Sequence, residues 1–205
     1  MKILLLIPSF IIFLFTLHKL IKDDHVFLRR NVKVEQVFDI AFVVILIDIV
    51  LGQLKYIPES LYLNNVISVA VVILYLFGKY KKLPLGRLYD FFTLSFLNTL
   101  PFIFFVNSFF SNKNQKIYFI SGTIFYIFVS LFFLRSLFRK LTNRSLKEGN
   151  ITIYFLIIYS TFTLIYSILI SLATHVEFVT TENLYILLQF FFSLIFIIKQ
   201  KFLTH

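Results

Sequence analysis

Seven apolar runs, at about 3–20, 37–54, 61–78, 91–110, 117–134, 151–173 and 184–198, are separated by connections whose basic residues alternate in number. From one end of the chain to the other, the flanks and connections hold 1, 5, 1, 4, 2, 5, 0 and 2 Lys or Arg. The odd-numbered connections and the C-terminus together carry 16 of the 20, and the N-terminus with the even connections carries 4. Most of the runs approach the roughly 20 residues that a helix needs to cross ~30 Å of hydrocarbon. Basic residues are retained on the cytoplasmic side during insertion. The pattern therefore predicts an all-α, polytopic membrane bundle of seven transmembrane helices, with the N-terminus outside and the C-terminus inside. A missed or invented span would scramble the alternation.

The 205 residues are 59% hydrophobic and 15% charged, and the mean hydropathy is +0.89. Such a composition belongs to an integral membrane protein. The longest connections are only about fifteen residues, so residues 1–205 form a single membrane domain with no room for a soluble one. In a soluble protein a net charge of +10 would suggest nucleic acid. Here it forms a collar facing anionic lipid head groups, and nucleic acid is excluded as a partner. With no cysteine, the chain has no disulfide, thiolate metal site or acylation site. No metal or cofactor is expected. The first run follows Lys2 as a secretory signal would, but it continues to Leu20 and ends in His18-Lys19 rather than in small residues. It reads as a retained helix.

Polar residues inside the spans are informative because hydrocarbon penalises them. Asp39, near the cytoplasmic start of the second span, has Arg29, Arg30 and Lys33 nearby as partners for a stem-level ion pair. Asp48 lies nine residues further on, ~13 Å deeper and on the opposite helix face. It is either bonded to a neighbouring helix or part of a site. Asp90 falls in the first turn of the fourth span, where an acid favours the helix dipole and caps free amides. Pro101 removes a backbone bond from the fourth span and predicts a kink. In the sixth span Tyr159, Thr163, Tyr166, Ser167, Ser171 and Thr174 recur every three or four residues, a hydroxyl stripe suited to helix packing. Sorted by depth, Gln53, Tyr56, Asn64, Asn65, Asn107, Thr163 and Tyr166 gather in the outward-facing half.

Several of these segments resemble the prolipoprotein diacylglyceryl transferase family, which are bacterial plasma-membrane enzymes. Val34-Glu35-Gln36-Val37-Phe38-Asp39 after a basic loop is similar to the start of that family's second span. Lys81-Lys82-Leu83-Pro84-Leu85-Gly86-Arg87-Leu88-Tyr89-Asp90 resembles its basic-Leu-Pro turn leading to an Asp. Gly149, Tyr154-Phe155-Leu156 and Tyr159 match its Gly, Tyr-Leu and Tyr spacing in the penultimate span. The resemblance covers most of the chain through loose patterns. It implies seven spans with the N-terminus outside, a location in the plasma (inner) membrane, and phosphatidylglycerol and lipoprotein signal segments as partners.

The chain departs from the family where the chemistry lies. In the family's Gly-x-Arg-x-x-Tyr pattern, Leu51 stands at the Gly, Gln53 at the Arg, and Tyr56 is kept. Asn64-Asn65-Val66 stands at its His-Gly-Gly. Ile103, Phe104 and Val106 replace Gly, Arg and Gly of its Gly-Arg-x-Gly-Asn signature, while Asn107 keeps the Asn. The penultimate-span Arg, four residues after the second Tyr, falls on Thr163. The family transfers a diacylglyceryl group from phosphatidylglycerol to a lipobox cysteine and releases glycerol phosphate. That exchange needs an activated thiol, and it needs cations to hold a phosphate as negative charge grows on it. Arginine suits the second task because its fork binds two phosphate oxygens at once.

Three functions follow as expectations. The first is a transferase-like bundle with a degenerate site, a pseudoenzyme that still binds lipid or signal segments around Gln53, Tyr56, Asn64, Asn65, Asn107, Tyr159 and Thr163. The second is a divergent but active transferase in which Lys55 or His175 compensates. The third is a small transporter or channel built on Asp48, although paired intramembrane charges and repeat halves are missing. The topology has a direct check, because the chain has no cysteine of its own to give background. Single cysteines at Lys81 and Lys140 should be shielded from impermeant reagents in intact cells, and those at Glu59 and Glu177 should be labelled. Labelling of all four from one side would rule out the seven-span arrangement.

Overall fold

Backbone amides that leave water must bond within their own segment, so long apolar runs wind into helices. The computed structural model describes residues 2–53, 62–111, 113–174 and 180–202, with side chains described over 7–47, 67–111, 115–172, 180 and 183–198. The regular elements are helices α1 (Lys2–Lys22), α2 (His25–Arg29), α3 (Val34–Gln53), α4 (Tyr62–Tyr80), α5 (Leu85–Phe110) and α6 (Lys113–Phe132). A π turn at Phe133–Leu137 joins α6 to α7 (Phe138–Thr142), and α8 (Asn150–Thr174) and α9 (Thr181–Phe202) follow. No strand occurs among the described residues. By length and apolarity, three described stretches can cross a membrane: Leu85–Phe110, Gln115–Thr142 and Asn150–Leu172.

Helix α5 is the centre of the bundle. It packs against α1, α4, α6 and α8, while α3 lies on α1 and α4, and α9 lies on α8. In its apolar window 61% is buried within the protein, against 22% in each of the other two long apolar helices. The outward faces of those helices carry Phe128, Leu131, Ile165, Leu169 and Leu172, and α9 adds Phe192 and Ile195, all exposed. An exposed apolar belt of this size suits lipid rather than water. Inside the bundle, Asn98 of α5 bridges its neighbours. Its Nδ2 donates to Thr16 Oγ1 of α1 at 3.0 Å, and its Oδ1 accepts from Ser130 Oγ of α6 at 3.3 Å. Helix α5 is continuous through Pro101.

One end of the bundle is knitted by charge. Asp24 caps α2, its Oδ1 accepting from the Val26 and Phe27 amides at 2.9 and 3.1 Å. Its Oδ2 takes both Nε and Nη2 of Arg87 at 3.0 and 2.6 Å. Arg87 Nη1 donates to the Leu141 carbonyl at 3.1 Å and lies 4.0 Å from Glu148 Oε1. Both charged side chains are almost fully buried. The first turn of α5 is thereby tied to the α1–α3 connection and to the α7–α8 connection. The apolar complement is Phe27 stacked on Phe91 with ring centroids 5.4 Å apart, while the guanidinium sits 5.7 Å from the Phe91 ring.

Two expectations need correction here. Asp90 does not cap its own helix but the start of α8. Its Oδ2 accepts from Gly149 N at 2.7 Å, and its Oδ1 accepts from Thr152 N at 3.1 Å. Asp90 is the sixth residue of α5, beyond the free amides of the first turn, whereas α8 starts beside it. The close approach requires glycine at two points. Gly149 has φ +89, and a Cβ on Gly86 would lie 2.8 Å from that of Glu148. Asp39 does form a stem-level ion pair, but its partner is Lys81 at 2.7 Å rather than Arg29, Arg30 or Lys33. The hairpin between α3 and α4 brings Lys81 back to that level.

Helices α2, α4 and α7 end alike. Asn31, Lys82 and Arg144 adopt left-handed backbone with φ 51, 54 and 58. The next amide then reaches back five residues in each case: Val32 to Phe27, Leu83 to Gly78, and Ser145 to Lys140. This closure occupies carbonyls that would otherwise be orphaned.

Removing Asp24 strands a buried guanidinium. Asp24→Ala should therefore cost about 3–5 kcal/mol, the scale for breaking one side of a buried pair. In the Asp24→Ala/Arg87→Leu double variant no charge is stranded, and its loss should be well below the sum of the two single losses. Unfolding midpoints in detergent micelles measure this. An additive double variant would show that the two groups are not coupled.

Candidate functional site

The positions singled out from the sequence fall into two sets. Gln53, Asn64 and Asn65 lie on helices, but their side chains are outside the described residues, and so is that of Asp48. Lys55, Tyr56 and His175 lie outside the described residues altogether. Asn107 is described, and its Nδ2 donates to the Ile103 carbonyl of its own helix at 2.9 Å. Phe104, Tyr159 and Thr163 are brought together.

The geometry begins with α6, where Tyr118, Gly122 and Tyr126 recur every four residues and so share one face. Gly122 leaves a gap that the Phe104 ring of α5 fills, and any Cβ there would collide with that ring. Phe104 is 1% exposed, and its ring centroid lies 5.3 Å from Tyr118, 5.6 Å from Phe119 and 5.1 Å from Tyr126. Helix α8 closes the cluster. Phe162 packs 5.7 Å from Tyr118 and 5.4 Å from Tyr126, Tyr166 lies 4.3 Å from Tyr118, and Tyr159 lies 6.5 Å from Tyr126. Offset and edge-on ring pairs of this kind contribute about 0.5–1.5 kcal/mol each beyond their buried area.

Hydroxyls thread this aromatic core. Thr163 Oγ1 donates to the Tyr159 carbonyl at 2.9 Å. Tyr126 is fully buried, and its hydroxyl finds no hydrogen-bond partner among the described residues. None of the residues in the cluster is a Lys, Arg or His. The arrangement can pack an apolar chain and bond a neutral polar group. It cannot hold a phosphate dianion, which requires charged donors. Among the described residues no group of acidic, His or Cys side chains could bind a metal ion.

The polar stripe of α8 divides its work between helices. Tyr159, Thr163 and Tyr166 face the α6 cluster, and Ser167 donates to Asn183 Oδ1 of α9 at 2.8 Å. Contacts between helices account for these four residues of the stripe, and the Thr174 side chain lies outside the described residues. Tyr118, Gly122 and Tyr126 were not among the sequence candidates. The available signal was a tyrosine–glycine–tyrosine series at i, i+4 and i+8 in an otherwise apolar span. Comparison with protein-family models, curated proteins and solved structures finds no match to this chain.

The unpartnered Tyr126 hydroxyl makes a prediction of unusual sign. Removing a buried polar group that bonds to nothing relieves its desolvation cost. Tyr126→Phe should therefore stabilise the protein by about 1 kcal/mol, read as a higher thermal midpoint in detergent. A lower midpoint would mean that the hydroxyl has a partner in the folded protein.

Proposed function

We propose that this chain is a multi-pass plasma-membrane protein with the seven-span bundle of a prolipoprotein diacylglyceryl transferase. Its transfer site is silent, and it takes up a phospholipid, phosphatidylglycerol by the resemblance, or a lipoprotein signal segment between its helices. The N-terminus lies outside and the C-terminus inside.

The observation that carries this reading is the fate of two positions. Phe104 and Thr163 stand where the resemblance expects phosphate-holding arginines. They lie on different helices, α5 and α8, yet both join one cluster: Phe104 packs on Tyr126, Tyr126 lies 6.5 Å from Tyr159, and Thr163 bonds to the Tyr159 carbonyl. Residues that serve one phosphate would need such convergence. Here the shared volume is filled by rings and hydroxyls instead of guanidinium groups. The topology draws support from the charged end. Asp24, Arg87 and Leu141 belong to the three strongly basic connections, and they meet in one buried network with the exposed Glu148 at its edge. Connections that touch each other share one side of the bundle, as the charge alternation requires.

Losing one preorganised donor typically costs ~10²–10³ in rate, and this chain lacks several together, with effects that need not add. Purified protein in phosphatidylglycerol vesicles with a lipobox peptide should give no thioether product above background, as followed by mass spectrometry. Robust product would overturn the silent site. Product that then disappears in Lys55→Ala or His175→Ala would identify a divergent, compensated enzyme.

A further inference from the structure

An open groove of about 370 Å³ runs between the end of α6, its π turn and α7 on one side and the first turns of α8 on the other. Its walls include Phe132, Leu137, Tyr154, Ile157 and Ile158, and Lys140 stands at one end. Phe132 and Lys140 are eight residues apart, so the groove extends roughly 12 Å along the helix axis. The π turn shapes it. The Phe138 amide bonds to the Phe133 carbonyl five residues back, and this wider turn moves the helix surface that follows. Phe133 and Leu137 turn inward, while Phe132 and Lys140 stay exposed. Turns of this type are rare and concentrate at functional positions.

Lys140, which lines the groove, belongs to a strongly basic stretch of the chain. Arg135, Arg139, Lys140, Arg144 and Lys147 are all exposed, and none forms an ion pair with a described residue. Glu148, the one acid of this connection, lies towards Arg87 instead. A surface with cations at one end and an apolar trough leading from them matches one kind of molecule. It has an anionic head and a hydrocarbon tail, and it approaches from the side.

We propose that this groove is a binding site for an anionic phospholipid of the leaflet that the basic connections face. One acyl chain lies along Tyr154, Ile157 and Ile158, and the phosphate sits at Lys140. The site is separate from the Phe104 cluster. Ile158 lines the groove, whereas the next residue, Tyr159, is buried on another face of α8 and turned towards Tyr126. The proposal needs the protein to sit in a bilayer but does not rest on the transferase resemblance. Its failure would leave the silent-site reading untouched, and the reverse also holds.

The absence of tryptophan from the chain makes a single reporter clean. Phe132→Trp places an indole in the groove wall, and Tyr154→Trp gives a second reporter should the first fail to fold. Each is reconstituted in phosphatidylcholine vesicles containing brominated phosphatidylglycerol or brominated phosphatidylcholine, and quenching gives the relative binding constant. The expected preference for phosphatidylglycerol is about fivefold, the scale of one basic side chain facing an anionic head group. It should fall to about one when Lys140→Gln is added, shrink at high salt, and persist with Lys22→Gln. Equal quenching by the two lipids would overturn the proposal, and so would a preference that survives Lys140→Gln. Absence of quenching by either lipid would mean that something other than lipid covers the groove, which also overturns it.

Discussion

Arg87 carries a permanent charge into a site where 1% of the residue meets solvent, and a charge so placed must be answered on each of its donors. Asp24 answers two of them and the Leu141 carbonyl a third. Because Arg87 opens α5, the helix that every inner neighbour packs against, its partners fix the relative heights of three connections. Asp24 is held in turn by capping α2, so neither carboxylate oxygen is free to release the guanidinium. Asp90, one turn further along α5, repeats the device with backbone amides in place of a cation. Two acids and one arginine thus set the register of α1, α5 and α8 at one end of the bundle. Ring packing and the Asn98 bridge continue that register inwards.

The helices and the charged end were legible in the sequence because their causes are local or additive. Apolar run length sets helix extent, and the alternation of Lys and Arg counts over many residues, so it tolerates individual exceptions. The partners of single charges were not legible. Asp39 has three basic residues within ten positions of the chain, yet it pairs with Lys81, 42 residues away. Asp90 meets amides 59 and 62 residues away. Such pairings follow from which helices become neighbours, and an apolar periodicity that is similar in every span does not encode this. Arg87 was counted within a basic turn. Nothing in its local sequence separates it from Lys81 or Lys82, although burial makes its role entirely different.

The candidate site was legible in part. Tyr159 and Thr163 belong to a visible stripe for which helix packing is the expectation, and the contact of Tyr159 with Tyr126 on the neighbouring helix fits it. What the stripe packs against came from α6, whose two tyrosines flank a glycine. Gly122 matters through what it lacks. Any side chain there would meet the Phe104 ring, so the glycine and the phenylalanine are parts of one fit. An arginine at 104 would need the same space and would also need an anion, because its charge would be enclosed by rings and neutral hydroxyls. Without an anion, such surroundings favour an aromatic ring over an unpaired guanidinium.

The two ends of the molecule therefore differ in what they can bind. Where the Phe104 cluster lies, polarity is neutral and enclosed, which favours apolar chains and uncharged groups and disfavours phosphate. At the other end, cations are plentiful. The buried Arg87 is answered on each of its three nitrogens, while the five basic residues between Arg135 and Lys147 are exposed and form no ion pair among the described residues. Unanswered charge at a membrane surface finds its counterpart in lipid head groups, since water and salt screen it only partly. A basic side chain does opposite work in the two settings: burial commits Arg87 to structure, and exposure leaves Lys140 open to solvent and head groups.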